Sequence, residues 1–174
     1  AVTDFITAAD SIEFKGGTLY VKETGVSIAT SNGAVTINSI DGDHDETVTI
    51  DAGSGAVSVG RIGGTNASGE GIKSVAITST HATGITLTGN ITTSDTADSD
   101  VTLTGKVVIN GDVDIDTSAG TDGDITFTST IVGADGTNDD LILDTGGGAL
   151  TFHATTTIGA VSYTHLTLPT KRVV

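Results

Sequence analysis

The sequence predicts an all-β chain folded as a parallel β-helix, a β-solenoid of about five to six coils. Three observations support this fold class: a composition that favours strands and turns, short runs in which apolar and polar residues alternate, and the return of these runs about every two dozen residues. The chain has 174 residues, 24 of them Gly, and contains no Cys, Met or Trp. That length is enough for one domain with a sizeable core.

Short alternating triplets are the predicted strands. Thr, Val and Ile, which are abundant here, fit a pleated strand better than a helix. In the run Thr47–Ile50, alternation places Val48 and Ile50 on one face of a strand and the two threonines on the other. The Gly, Asp, Asn and Ser residues between triplets form turns. Because apolar residues do not recur every three or four positions, we expect no amphipathic helix.

The triplets are arranged as an internal repeat. Its clearest copies are Val26–Ile40, Val48–Ile62 and Leu141–Ile158, and in each a second triplet begins nine residues after the first. Looser copies continue the pattern, so that the leading triplets begin at Val26, Val48, Val75, Val101, Val113 and Leu141. The steps between them are 22 to 28 residues long, apart from one step of 12 that the alignment does not explain.

Stacking explains how such short strands are stabilised. A triplet buries two residues, which is too little for an isolated hairpin, whereas stacked coils pile equivalent residues into internal columns. Five or six coils at a spacing of about 4.8 Å would form a rod of about 25–30 Å. An immunoglobulin-like β-sandwich is the main alternative, because it also has many short strands between turns. The very short triplets and the scarcity of aromatic residues, 4 Phe and 2 Tyr, favour the solenoid.

The charge excludes several classes of partner. The formal net charge is −15, with 22 Asp and Glu against 7 Lys and Arg. Such a surface repels phosphate backbones and anionic membranes, so we expect no nucleic-acid binding. We also expect no membrane insertion of this segment, because no apolar run approaches the length of a bilayer span.

Residues 161–174 differ from the rest of the chain. They contain the only Pro, Pro169, and the adjacent pair Lys171 and Arg172. The string VSYTHLTLPT resembles the translation of a transposon-end sequencing adapter, which implies a gene fragment assembled from environmental DNA. We therefore assign residues 1–160 to the solenoid and 161–174 to a non-native tail. The chain also opens within the repeat pattern, so we expect a fragment of a longer protein that continues into further coils.

The repeats resemble a known group of proteins. The runs DETVTIDAGSGAVSVGRIGG, TGITLTGNITTS and GDITFTSTIVGADGTNDDLILDTGGGALTF are similar to the mid-chain repeats of filamentous-haemagglutinin-like and other large repetitive bacterial adhesins. The resemblance covers most of Gly25–Ala160 and implies a right-handed parallel β-helix, export to the bacterial cell surface, and a role as a stalk or adhesive segment. Candidate partners are then glycans or proteins of host or neighbouring cells. A calcium- or carbohydrate-binding solenoid module is the alternative function.

The run DGDHDE resembles the start of a calcium-binding loop. Asp41, Asp43 and Asp45 take positions one, three and five, where carboxylate oxygens can converge on a cation. However, Glu46 stands where that loop requires Gly, and Ala52 stands where it requires Glu. The sequence therefore gives a candidate calcium site, with a solvated acidic loop as the other interpretation, and no other cofactor is expected.

Other residues give weaker candidates. His44 is a candidate transition-metal ligand, although no second His lies at a recognisable spacing. The acidic loops 95–100 and 135–140 precede leading triplets and are either cation sites or ordinary Asp-rich turns. Asp139 and Asp140 resemble the carboxylate pair of a polysaccharide-cleaving enzyme, but the basic companions of such a site are missing, so no catalysis is expected. Outward Thr-x-Thr pairs suggest a regular array of threonines that could order water or ice. The unequal lengths of the coils argue against such a regular array.

Overall fold

The computed structural model describes residues 3–22, 24–64, 71–94, 96, 98–119, 123–134, 139–153, 158–159 and 166–167. These residues form nineteen strands and no helix. The strands are β1 (Thr3–Thr7), β2 (Ile12–Phe14), β3 (Leu19–Val21), β4 (Gly25–Thr30), β5 (Val35–Gly42), β6 (Glu46–Asp51), β7 (Val57–Ile62), β8 (Ile72–Thr78), β9 (Ile85–Leu87), β10 (Ile91–Thr92), β11 (Val101–Thr104), β12 (Val107–Ile109), β13 (Val113–Asp116), β14 (Ile125–Phe127), β15 (Ile131–Gly133), β16 (Leu141–Asp144), β17 (Leu150–Phe152), β18 (Ile158–Gly159) and β19 (Leu166–Thr167).

The strands build three parallel faces. Face A is the sheet β1-β4-β6-β8-β11-β14-β17. The second sheet divides into face B1, which contains β2, β9, β12, β15 and β18, and face B2, which contains β3, β10, β13, β16 and β19; the long strands β5 and β7 span both faces. The chain passes through A, B1 and B2 in turn and makes about six turns. This confirms the predicted parallel β-solenoid and rules out the sandwich; its handedness stays a prediction.

The core consists of columns of inward side chains. Equivalent residues of successive coils are paired in register, and their side chains meet inside the solenoid. At the C-terminal end of the column of inward side chains on face A, the rings of Phe127 and Phe152 stack with centroids 5.5 Å apart. The full column on face A is Phe5, Ile28, Ile50, Ile77, Leu103, Phe127 and Phe152. The predicted internal columns of aliphatic residues are therefore present.

The phase of the repeat differs from the predicted alignment. Val48 lies on face A, where it pairs with Val26 and Val75, whereas Leu141 lies on face B2 and pairs with Val113. The predicted alignment of Leu141–Ile158 with Val48–Ile62 is therefore wrong, because it matches each strand of one copy to a strand on a different face in the other. The unexplained step of 12 residues is the distance from β11 on face A to β13 on face B2 within a single coil.

Similar turn chemistry at two corners explains this error. After β6, the Asp51 carboxylate accepts a hydrogen bond from the N–H of Gly53 at the corner between faces A and B1. After β16, Asp144 does the same with Gly146 at the corner between faces B2 and A. Since one Asp-x-Gly turn closes both corners, local sequence does not reveal which face precedes it.

Unequal coil lengths disturb the register of face A at one point. The 27-residue step from Val48 to Val75 places most of its extra residues between β7 and β8, and Lys73 forms a bulge in β8, where the register with β6 shifts between Glu46 and Thr47. Beyond this bulge, the outward residues Thr49, Ala76 and Thr102 stay in register. Ala76 interrupts the row of outward threonines, so the described part of face A is not a regular Thr grid. Within the tail, Leu166 and Thr167 are placed beside β16 as β19.

Candidate functional site

The acidic corner is the turn of residues 41–46 between faces B2 and A. β5 ends at Gly42 and β6 begins at Glu46, so three residues carry the chain from face B2 to face A. Asp45 adopts a φ of 60°, a left-handed conformation that Asp tolerates better than most residues. A Cβ at position 42 would overlap the Glu46 carboxylate, so the Glu46 side chain can lie this close because residue 42 is Gly. The corner therefore draws a glutamate against the backbone.

Asp41 is committed to the solenoid itself. Its side chain is 1% exposed, its Oδ2 lies 3.4 Å from Nη1 of Arg61, and its Oδ1 accepts a hydrogen bond from the N–H of Gly42. Arg61 belongs to the next coil and also donates to the carbonyl of Gly63. A buried carboxylate held in this way stabilises the junction of two coils, and its oxygens face protein donors.

Asp43 is the most strongly anchored anion of the corner. Its Oδ1 lies 3.0 Å from Nδ1 of His44, and its Oδ2 lies 3.0 Å from Nζ of Lys22 in the preceding coil. The hydrogen bonds from His44 and then Lys22 lower the pKa of Asp43 to about 2, against a smaller opposing effect of burial. Asp43 is therefore ionised at neutral pH and stays oriented by two neighbours.

Glu46 is a buried carboxylate with one unsatisfied oxygen. The residue is 0% exposed, and its Oε2 accepts a hydrogen bond of 3.0 Å from the backbone N–H of His44. Its Oε1 is buried and has no hydrogen-bond partner among the described residues, and the same holds for Oδ1 of Asp45. Burying a carboxylate oxygen without a donor or a cation is costly, so this corner carries an uncompensated acceptor.

The corner brings together a different set of residues from the predicted one. One ligand atom each of Asp43, His44 and Glu46 lies within 4.8 Å of the other two. Over the described part of the chain, this is the one group of three such residues that lies close enough to hold a metal ion. Asp43 of the predicted calcium set is included, whereas Asp41 and Asp45 are outside the group. Calcium at Asp41, Asp43 and Asp45 stays a prediction.

Sequence reasoning missed Glu46 because it compared the run only with a calcium loop. The strand alternation contained the signal: Glu46, Val48 and Ile50 share one parity, and the latter two are core residues. A glutamate at the inward parity of a strand is buried, and buried carboxylates require partners. In the next coil its ladder partner is the apolar Ile72.

The other acidic loops act on the backbone of neighbouring coils. The Asp100 carboxylate accepts a hydrogen bond from the N–H of Asp124, one coil later. Asp139 is buried and binds the N–H groups of Gly111 and Ala134. Asp95 and residues 135–138 lie outside the described residues. The two loops occupy different corners, between β10 and β11 and between β15 and β16.

Comparisons with known proteins give no relative. No protein-family model, no curated protein and no solved structure matches the chain. Across the described ranges, no helix is long and apolar enough to span a membrane.

Proposed function

We propose that the chain is a non-catalytic, rigid spacer segment of an extracellular, adhesin-like bacterial surface protein. The observation that carries this proposal is the continuity of the ladder on face A, in which seven strands pair in parallel with one register shift, between β6 and β8. The strands of each coil pair with those of the coils before and after it, which is the architecture of an extensible rod.

The outward residues support the same role. On face A, Thr49 is exposed to solvent and Thr102 and Thr126 are half-buried. The net charge of −15 makes such rods repel one another. Many of the aspartates bind backbone N–H groups within or between coils, for example Asp51, Asp116 and Asp144. Their carboxylates thus close turns, which is a structural use.

Pulling a single molecule between handles at its two ends tests the spacer role. A rigid solenoid should bear load at constant length and then lengthen in steps of one coil, 22 to 27 residues on face A from Val26 to Leu150. A variant with a weakened core, Ile50→Ala, should give the same steps at lower force. Smooth lengthening at low force would contradict the proposal.

Two further assays separate spacer from ligand binder and enzyme. Binding of the labelled chain to arrays of cell-surface glycans and matrix proteins tests for an adhesive surface. The adhesive role requires binding that is lost on substitution of one face, whereas its absence reduces the role to a spacer. Release of reducing ends from polysaccharides by the purified chain would overturn the non-catalytic assignment.

A further inference from the structure

The acidic corner has the composition of a metal site that carries one imidazole. Asp43 and Glu46 supply carboxylate oxygens and His44 supplies a ring nitrogen, all within 4.8 Å of one another. Calcium and magnesium take oxygen ligands, whereas a mixed set of one nitrogen and two oxygens suits zinc and its transition-metal neighbours. We propose that Asp43, His44 and Glu46 bind one divalent transition-metal ion, with zinc as the representative, and that the ion fastens the turn between β5 and β6.

The geometry requires little rearrangement at two of the three ligands. Oδ1 of Asp43 and Nδ1 of His44 are 3.0 Å apart and share a hydrogen bond, which a metal ion would replace once the Nδ1 proton is released to solvent. Two ligands of one zinc ion, each bound at about 2.0–2.1 Å, are separated by about 3 Å or slightly more. Lys22 holds the other oxygen of Asp43, Oδ2, and so orients the carboxylate without occupying Oδ1.

Glu46 supplies the independent indication of a ligand. It is fully buried, and its Oε1 has no hydrogen-bond partner among the described residues. A nearby cation would compensate this oxygen, which protein donors do not. The cluster spans the end of one strand and the start of the next, so a bound ion would tie face B2 to face A.

Zinc titration of the whole chain tests the site, followed by calorimetry and thermal melting. We expect one zinc per chain, with calcium binding far more weakly. His44→Gln should weaken zinc binding at least about tenfold, and because the His44 side chain is 70% exposed, this variant should stay folded. His153→Gln, also at an exposed histidine, is the matched control and should bind zinc normally.

A second test compares the melting temperatures of the Glu46→Gln variant and the natural chain, each with and without zinc. Without metal the melting temperature of the variant should equal or exceed that of the natural chain, since the buried unsatisfied charge is removed. With zinc the natural chain should gain stability and the variant should gain much less. Glu13→Gln, at an exposed glutamate, is the control and should respond as the natural chain does.

The natural chain alone provides a third readout. Zinc-edge X-ray absorption of the loaded protein should show nitrogen and oxygen ligands with the scattering pattern of one imidazole. No zinc binding, equal affinity for calcium and zinc, zinc affinity unchanged in His44→Gln or Glu46→Gln, or a spectrum without imidazole would each overturn the proposal. None of these outcomes bears on the spacer role, which the pulling experiment tests separately.

Discussion

Arg61 of β7 reaches back one coil to Asp41 of β5, with Nη1 and Oδ2 3.4 Å apart. The carboxylate is 1% exposed and the guanidinium side chain 33% exposed. The pair therefore joins two coils at the edge of the core, where removal of Arg61 would leave the buried Asp41 side chain without its opposite charge.

Arg61→Met should destabilise the chain by about 2–3 kcal/mol, somewhat less than the loss of one partner from a fully buried pair. The double variant with Asp41→Asn should recover part of this loss, because the orphaned charge is then absent. Urea unfolding followed by circular dichroism measures the stability of both variants and of a control. Lys15→Met breaks an exposed pair with Glu13 and serves as control, with an expected loss below about 1 kcal/mol. Equal losses for Arg61→Met and Lys15→Met would show that burial is irrelevant here.

Ile50→Ala should cost about 2–5 kcal/mol of unfolding free energy, because it leaves a cavity in the face A column between Ile28 and Ile77. The neighbouring Thr49 points outward, so Thr49→Ala should change stability by about 0.5 kcal/mol or less. Chemical denaturation of both variants gives the comparison. Similar effects at the two positions would contradict the assigned parity of β6.

Gly105→Ala should destabilise the chain by about 1–3 kcal/mol. Gly105 has a φ of 118°, and a Cβ there would overlap the carbonyl oxygen of Ser79 in the preceding coil. Gly16 has nothing within 4 Å of an added Cβ and lacks a positive φ, so Gly16→Ala should be neutral or slightly stabilising. Melting temperatures of the two variants check this, and a neutral Gly105→Ala would argue against the close approach of coils at this corner.

Asp114→Asn should stabilise the chain at neutral pH. Burial, and then the charges of Asp116 and Asp144, raise the pKa of Asp114. When folding raises the pKa of a carboxyl group, the free energy of unfolding falls as pH increases from the unfolded pKa of about 3.9 through the folded pKa. The natural chain is therefore less stable above that pH range than it would be without this charge.

The advantage of the Asn variant should therefore shrink as pH falls and vanish below the unfolded pKa. Unfolding free energies at several pH values test this, with Asp10→Asn at an exposed position as control. An advantage of Asp114→Asn that does not depend on pH would exclude a titration effect.

Much of the fold follows from sequence, because alternation is a local property. Val48 and Ile50 are inward and Thr49 is outward, as the run Thr47–Ile50 predicts. The choice among three faces is not local: Leu141 and Val48 precede nearly identical turns, and only the pairing of whole coils separates them. The step of only twelve residues from Val101 to Val113 indicates that the predicted set of leading triplets contains strands from two different faces.

The candidate site was only partly predictable for a related reason. Asp43 and His44 stand out in the sequence as potential ligands in an acidic run. Glu46 joins the candidate ligands because it is buried at the corner. Asp41 does not join them because its carboxylate pairs with Arg61, twenty residues away in sequence. Neither relationship is visible in a comparison with a calcium loop, because both arise from the stacking of one coil on the next.

The most direct test of the central claim is a series of electron-spin distances along face A. The chain contains no Cys, so pairs of labels can be placed at introduced cysteines, with Asp4 in the first coil as the fixed site. Register places Thr102, Thr126 and Thr151 four, five and six coils further along. Stacked coils predict narrow distributions near about 19, 24 and 29 Å, rising by one strand spacing per coil. Distances that do not rise in equal increments, or distributions broad enough to overlap, would contradict a rigid solenoid.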